Sequence, residues 1–261
     1  MSSDLRRVAI LTKLASDGEA RIAELAHAFG TSEMTIRRDL EILELDGHAR
    51  RVRGGVISAV SRSYEPPIFQ RQNVELLAKT SIGKAAADLL KDGETAIIDV
   101  GTTTLEMAKA INPRLSLTVI TSSILIAAEL SSRPQVRTIV SGGIVRKGEM
   151  SLIGARAEDS FSDLNCDVVF LGVAGISQDK GLTEYNLDDT RVKQAAIRAA
   201  HRCVVLADAS KIGKIAFANV ADISKVDVLV TNASPDNKVI KALQDAGVEV
   251  IHTEPINKES K

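Results

Sequence analysis

The sequence has little that would support redox, metal or membrane chemistry. Its two cysteines, Cys166 and Cys203, show neither CxxC nor HxxC spacing, and each opens a strand-like run. They read as reduced structural thiols. No glycine triplet of the form GxGxxG occurs, so the fingerprint a dinucleotide-binding redox sensor would need is missing. The four histidines, His27, His48, His201 and His252, are too scattered to suggest a zinc site, and no cofactor is expected. The longest apolar run, Val168 to Ile176, is too short to span a bilayer. Behind MSSDLRR there is no apolar stretch of secretory type, so a cytoplasmic protein without membrane contact is expected. Charge of either sign is not in excess: the net charge is −1, which gives no global field for nucleic acid.

What remains is an ordinary globular balance, 44% apolar and 26% charged over 261 residues. That length suits a small domain followed by a larger one. The first 57 residues carry nine Lys/Arg against nine Asp/Glu, yet five of those cations fall in two clusters between positions 37 and 53. Any nucleic-acid footprint must therefore be local.

Three helical patterns fill this segment. The first carries Val8, Leu11 and Leu14 and stops at Asp17-Gly18; the second places Ile22, Leu25, Ala26 and Phe29 on one face and ends at Gly30. The third is capped by Thr31 or Ser32, buries Ile36, Leu40 and Leu43, and closes at Gly47. At about 100° per residue, Met34, Arg38 and Glu41 point away from the core, with Thr35 and Arg37 on the flanks. The short Gly-Thr-Ser connection makes a helix-turn-helix, whose second member enters the major groove by its N-terminal part. Beyond it, HARRVRGGVI suits a β-wing. Thr35 and Arg38 are expected at base edges, Arg37 at phosphate, and Arg51 and Arg53 along the backbone or minor groove, with Ser32 joining them at the helix start. The competing reading, Arg37-Arg38 as a solvated face paired with Asp39 and Glu41, fits an isolated pair better than one at the start of a third helix followed by a basic wing. TIRRDL at 35–40, with Leu43, Gly47, Arg51 and Gly54-Gly55, resembles the DNA-binding half of the DeoR family of regulators. Family members commonly carry His where this chain has Arg53.

Ser58 to Glu75 includes Pro66-Pro67 and reads as an extended connector, so the expected division is a winged helix-turn-helix over 1–57, a linker over 58–78 and a second domain over 79–255. In the latter, β-branched runs at 95–100, 117–121, 136–140, 167–173, 203–207, 226–231 and 248–251 alternate with helical patterns. The expected fold is an α/β, Rossmann-like domain with a mainly parallel sheet. Ligands in such sheets bind beyond the carboxyl ends of the strands, where three segments fall. Asp99-Val-Gly101-Thr102-Thr103-Thr104 pairs a glycine turn with hydroxyls at a helix start, a phosphate cradle in form and also a common helix cap. Asp208 and Lys211 lie in ADASK at 207–211, where the lysine reaches a phosphate or the aspartate simply makes an Asx turn. Gly172-Val-Ala-Gly175 precedes Glu184, which contacts sugar hydroxyls or caps the helix carrying Arg191 and Lys193.

Together these segments resemble the sensor half of DeoR regulators, whose fold is similar to that of ribose-5-phosphate isomerases. With Glu65-Pro66, Arg71, Lys79 and the Gly142-Gly143, Arg146 turn, the resemblance runs from Leu5 to about Asn232. It implies an effector set of Asp99, Gly101, Thr102, Thr103, Thr104, Gly172, Glu184, Lys193, Asp208 and Lys211. The isomerases carry Asp-Gly-Ala-Asp where this chain reads Gly172-Val-Ala-Gly175, and many sensors have Asn where Ser122 stands. Moving a proton between sugar carbons needs a positioned acid and base, which glycine cannot be. The resemblance implies a regulator, more often a repressor of a carbohydrate operon, that binds operator double-stranded DNA as a homodimer or homotetramer and answers to a phosphorylated sugar or polyol. The alternative is a sugar-phosphate isomerase with an added DNA-binding domain.

Overall fold

The computed structural model describes residues 3–58, 62–63 and 65–254. The chain folds as two compact units that divide between Val74 and Glu75.

The N-terminal unit begins with α1 (Ser3–Asp17), β1 (Glu19–Arg21), α2 (Ile22–Ala28) and α3 (Glu33–Leu45), followed by β2 (Ala49–Val52), β3 (Gly55–Ser58) and a short α4 (Ile68–Arg71). Ser32 is the residue that caps α3: its Oγ accepts the Thr35 amide at 3.2 Å, satisfying one of the donors that a helix start leaves unpaired. Ile36, Leu40 and Leu43 are buried as their spacing predicts, and they close a core with Leu25, Ile22, Ile10 and Leu14. Burying each such aliphatic chain contributes about 1.5–3 kcal/mol, which is what fixes the helix pair. On α1 the fully buried residue is Ile10, with Leu11 only packed against the core; the side chain of Val8 lies outside the described residues. The wing is the β2–β3 hairpin, to which β1 adds a third strand through Ala20 opposite Val56.

The connector differs from a plain extended segment. Pro67 precedes α4, Ile68 is fully buried, and Arg71 closes the turn on the Glu65 carboxylate at 2.8 Å and the Pro66 carbonyl at 2.8 Å. A proline pair bars helix before it but starts one well, because the first-turn N–H has no partner to lose. Positions 59–61, 64 and 255 of the expected linker and second domain lie outside the described residues.

The C-terminal unit runs α5 (Leu76–Ala87), β4 (Thr95–Ile98), α6 (Thr102–Ala110), β5 (Leu117–Thr121), α7 (Ile124–Leu130), β6 (Val136–Val140), β7 (Ile144–Arg146), β8 (Ser151–Ile153) and α8 (Ala155–Asp159). It continues with β9 (Cys166–Gly172), β10 (Gly175–Ser177), β11 (Gly181–Glu184), α9 (Leu187–Arg198), β12 (Ala200–Leu206), β13 (Ala218–Ala221), β14 (Val228–Thr231), α10 (Lys238–Asp245) and β15 (Glu249–His252). Seven strands form one sheet in the order β15-β14-β12-β9-β4-β5-β6, every pairing parallel. These are the seven β-branched runs of the sequence. Successive residues of β9 serve opposite faces: Val168 and Phe170 pack with Ile82, Leu105 and Met107 of α5 and α6, while Val169 and Leu171 pack with Val192, Ala195 and Ile240 of α9 and α10. A helix layer therefore covers each face, which is why the central strands are apolar throughout. Cys166 and Cys203 are buried in β9 and β12, and burial pushes the Cys203 thiol up to about 12.

The chain winds from β4 to β5 and β6 on one side and from β9 to β12, β14 and β15 on the other. The strand order therefore reverses between β4 and β9, and in open parallel sheets the crevice outside such a reversal is where ligands bind. Two smaller pieces lie outside the main sheet: an antiparallel sheet of β10, β11 and β13, and the β7–β8 hairpin.

Candidate functional site

On the N-terminal unit, α3 and the wing do not present the predicted arginines equally. Arg38 and Arg53 are exposed and have no side-chain partner among the described residues. Arg37 leans on Glu33 one turn earlier at 3.4 Å, an exposed pair of little strength. Arg51 is held by two carboxylates of α3: its Nε donates to Glu44 at 2.7 Å and a terminal nitrogen donates to Glu41 at 3.0 Å. Its backbone N–H also donates to Glu44 at 2.9 Å, so this arginine braces the wing against the helix. Asp39, a partner in the competing reading, is buried and paired with Arg6 of α1. Ser32 and Thr35 face each other across the helix start, their hydroxyls 3.0 Å apart.

In the C-terminal unit the site grows from the ends of β4 and β9. Asp99 follows β4, and its Oδ2 accepts the Gly172 amide at 3.2 Å and the ammonium of Lys193. Lys193 also donates to the Gly172 carbonyl at 2.8 Å and stands 3.3 Å from Glu184 at the end of β11. Its side chain is 2% exposed, as is that of Asp99. Burial pushes the Asp99 carboxyl up to about 6, against the pull of Lys193. For Lys193, burial works against the charged form, but attraction from Asp99 and Glu184 prevails and holds the ammonium above its ordinary value. The lysine is thus a fixed internal cation that ties β4, β9, β11 and α9 together.

Gly101 turns the chain from Asp99 into α6 with φ 153, and a Cβ there would meet the Thr104 hydroxyl at 3.1 Å. Thr104 donates back to the Gly101 carbonyl at 3.0 Å. Thr102 and Thr103 are buried, yet their hydroxyls have no partner among the described residues. The edge around the α6 N-terminus therefore offers backbone N–H groups and two hydroxyls.

Asp208 and Lys211 stand apart from this network, although β12 pairs with β9 and brings them to the same carboxyl edge. Asp208 makes the Asx turn that the sequence left open, accepting the Ser210 amide at 2.9 Å. The Lys211 side chain has no partner among the described residues. Glu184 is not the cap of α9: Asn186 fills that role through the Asp188 and Asp189 amides, at 2.8 and 3.3 Å.

The glycines that replace acids have a steric reason of their own. A Cβ on Gly175 would sit 2.2 Å from the Lys214 carbonyl oxygen, so the loop that follows Lys211 crosses β10 in direct backbone contact. No side chain fits there without moving that loop. Sequence reasoning missed Asp189 and Ser151 altogether. Asp189 precedes Lys193 by four residues on α9 and so shares its face, which is the signal that was available. It accepts Ser151 Oγ at 2.9 Å and pairs with Arg146.

The DeoR-like helix-turn-helix model matches residues 6–62, and the DeoR C terminal sensor domain model matches residues 75–233. The chain is 32% identical over 249 residues to the HTH-type transcriptional regulator GolR of Listeria innocua, covering 94% of this chain and 96% of that protein. It is 30% identical over 250 residues to the glycerol-3-phosphate regulon repressor of Escherichia coli, covering 96% and 99%. Among solved structures, ribose 5-phosphate isomerase A of Methanocaldococcus jannaschii aligns with a TM-score of 0.39 at 19% identity, over 53% of this chain and 54% of that one. The curated relatives are regulators rather than enzymes, and they match along nearly their whole length. A helix-turn-helix with a basic wing, joined to a sensor domain of this type, places the chain in the DeoR family of transcriptional regulators.

Proposed function

We propose that the protein represses a carbohydrate or polyol operon and changes its grip on operator DNA when a phosphorylated sugar or polyol occupies the carboxyl edge of β4 and β9. The observation that carries this reading is the buried Asp99–Lys193–Glu184 network beside the α6 N-terminus. It makes a rigid floor, while Gly101, Thr102 and Thr103 supply donors suited to a phosphate. Thr104 and Gly172 shape that floor, and Lys211 reaches in from the end of β12, oriented by the turn at Asp208. Glu184 accepts sugar hydroxyls at the rim of the same network, and Asp99 serves the site from the floor by fixing Lys193 and the Gly172 amide. A relative that regulates a glycerol-3-phosphate regulon supports a phosphorylated polyol or sugar as the effector class.

On the DNA side, Thr35 and Arg38 read base edges, Arg37 and Ser32 meet phosphate, and Arg53 enters the minor groove from the wing that Arg51 holds in place. One helix-turn-helix makes few contacts, so a homodimer or homotetramer on repeated half-sites fits the size of the unit. No helix among the described residues is long and apolar enough to cross a membrane, and a cytoplasmic site of action follows from the DNA target. We place the working boundary between the two domains in the connector of residues 58–78.

The test is fluorescence anisotropy of labelled DNA from upstream of the protein's own gene, titrated with protein in the presence of ribose 5-phosphate, glycerol 3-phosphate and other sugar phosphates. One of them should shift the DNA affinity by roughly 5–150-fold, the range of typical coupling. Absence of DNA binding at low salt under every condition sinks the proposal.

A further inference from the structure

The buried network carries a charge problem. Asp99, Glu184 and Asp189 set three carboxylates against Lys193 and Arg146, and Lys193 is already spent on Asp99, Glu184 and the Gly172 carbonyl. A phosphate monoester entering beside this floor is repelled unless cations face it, and Lys211, which stands apart from the network, adds only one.

Arg146 is in position to do so. It ends β7, directly across from Ser151 of β8, and two separate chains of contact lead from it to the same place. Along the first, Ser151 forms an isolated bridge with Ser123 just beyond β5, Leu152 donates to the Ser122 carbonyl at 2.8 Å, and Thr121 donates to the Ile98 carbonyl at 2.6 Å, one residue before Asp99. Along the second, Arg146 pairs with Asp189, whose helix carries Lys193 one turn later to Asp99. The hairpin therefore lies across the carboxyl ends of the strands beside the α6 N-terminus. The guanidinium is held there by a buried carboxylate that also accepts from Ser151, so both strands of the hairpin are tied to α9. A guanidinium offers five donors in a planar fork; one terminal nitrogen of Arg146 meets Asp189, and the side chain remains 20% exposed.

We propose that Arg146 is the phosphate-reading arm of the effector site, carried on the β7–β8 hairpin and aimed by Asp189. This rests on the effector reading above and adds a residue and an element to it. Binding draws the guanidinium into a bridge between Asp189 and the phosphate, so the hairpin is held more firmly when the site is filled. Lys147, exposed in the hairpin turn, reports that change through tryptic cleavage.

The experiment is calorimetric titration of the full-length protein with ribose 5-phosphate, glycerol 3-phosphate and inorganic phosphate, using ribose and glycerol as phosphate-free controls, on the parent, Arg146→Lys and Arg146→Gln. Loss of a charge-assisted fork weakens the phosphorylated probe by about 10–100-fold in Arg146→Gln. Arg146→Lys keeps a cation opposite Asp189, so the hairpin stays folded, and it loses an intermediate factor. Saturating probe slows cleavage after Lys147 in the parent and leaves the rate in Arg146→Gln unchanged. Binding by Arg146→Gln within twofold of the parent overturns the assignment, and so does an equal loss for probes with and without phosphate. A parent that binds none of the phosphorylated probes overturns the effector reading itself, and this inference with it.

Discussion

Replacing Lys193 by Met removes the cation that neutralises two buried carboxylates while keeping most of the side-chain volume. Breaking such a pair by deleting one partner costs about 3–5 kcal/mol. The structure shows how the cost arises, because Asp99 is already raised to about 6 with the lysine present and takes up a proton once it is gone. Protonating a carboxyl whose ordinary value is 3.8 costs about 5 kcal/mol at pH 7.5 and about 2 kcal/mol at pH 5.5, at roughly 1.4 kcal/mol per pH unit. The loss should therefore be largest near neutrality and shrink as the solution is acidified. For a domain of this size it corresponds to a fall of about 6–20 °C in the melting transition of the C-terminal unit. Calorimetric melts of parent and variant at pH 7.5 and 5.5 measure both quantities. A variant that melts within 2 °C of the parent at pH 7.5, or one whose deficit grows at pH 5.5, refutes the idea that Lys193 compensates Asp99.

Asp99→Asn probes the same group from the other side. Because folding raises the Asp99 pKa from 3.8 to about 6, the folded protein binds the extra proton between those values. The parent should gain up to about 3 kcal/mol relative to the variant as pH falls from 7 to 4, read from denaturant midpoints across that range. Gly175→Ala forces a methyl to within 2.2 Å of the Lys214 carbonyl; a loss of about 1–3 kcal/mol in chemical denaturation is expected, as for other overpacked sites. Arg38→Ala and Arg53→Ala should each lower the slope of log K against log salt by about one phosphate contact or less while leaving the melt unchanged. Arg51→Ala should instead loosen the wing, seen as faster amide exchange in β2 and β3, since its guanidinium is bound to Glu41 and Glu44.

The inner strands of the sheet were legible because a strand buried on both faces can hardly be other than an apolar, β-branched run, and the half-exposed edge strands β6 and β15 showed through their β-branched content alone. The helix-turn-helix was legible for a similar reason: Ile36, Leu40 and Leu43 repeat at helical spacing and all reach the core. Strands of three residues left no such trace. β1 buries only Ala20, and β7 and β8 are short segments whose pairing depends on where the rest of the chain places them. The site was half readable. Asp99, Gly101 and Gly172 announced themselves as strand-end residues, but that Lys193 is consumed by the floor rather than offered to a ligand depends on four elements meeting, which spacing along one chain does not encode. Gly175 reads in sequence as a lost acid; its close approach to Lys214, 39 positions further along the chain, belongs to tertiary structure. The tethering of Arg51 by α3 is of the same kind, since an arginine in a wing looks identical in sequence whether it faces DNA or a neighbouring carboxylate.

Effector binding and DNA binding are held here to be linked through one protein, and linkage is reciprocal. The direct measurement is the dissociation constant of the effective sugar phosphate for the full-length protein, taken with and without saturating operator DNA. DNA should change that constant by the same factor, roughly 5–150-fold, by which the sugar phosphate changes the DNA affinity. A dissociation constant that is identical with and without operator contradicts the account.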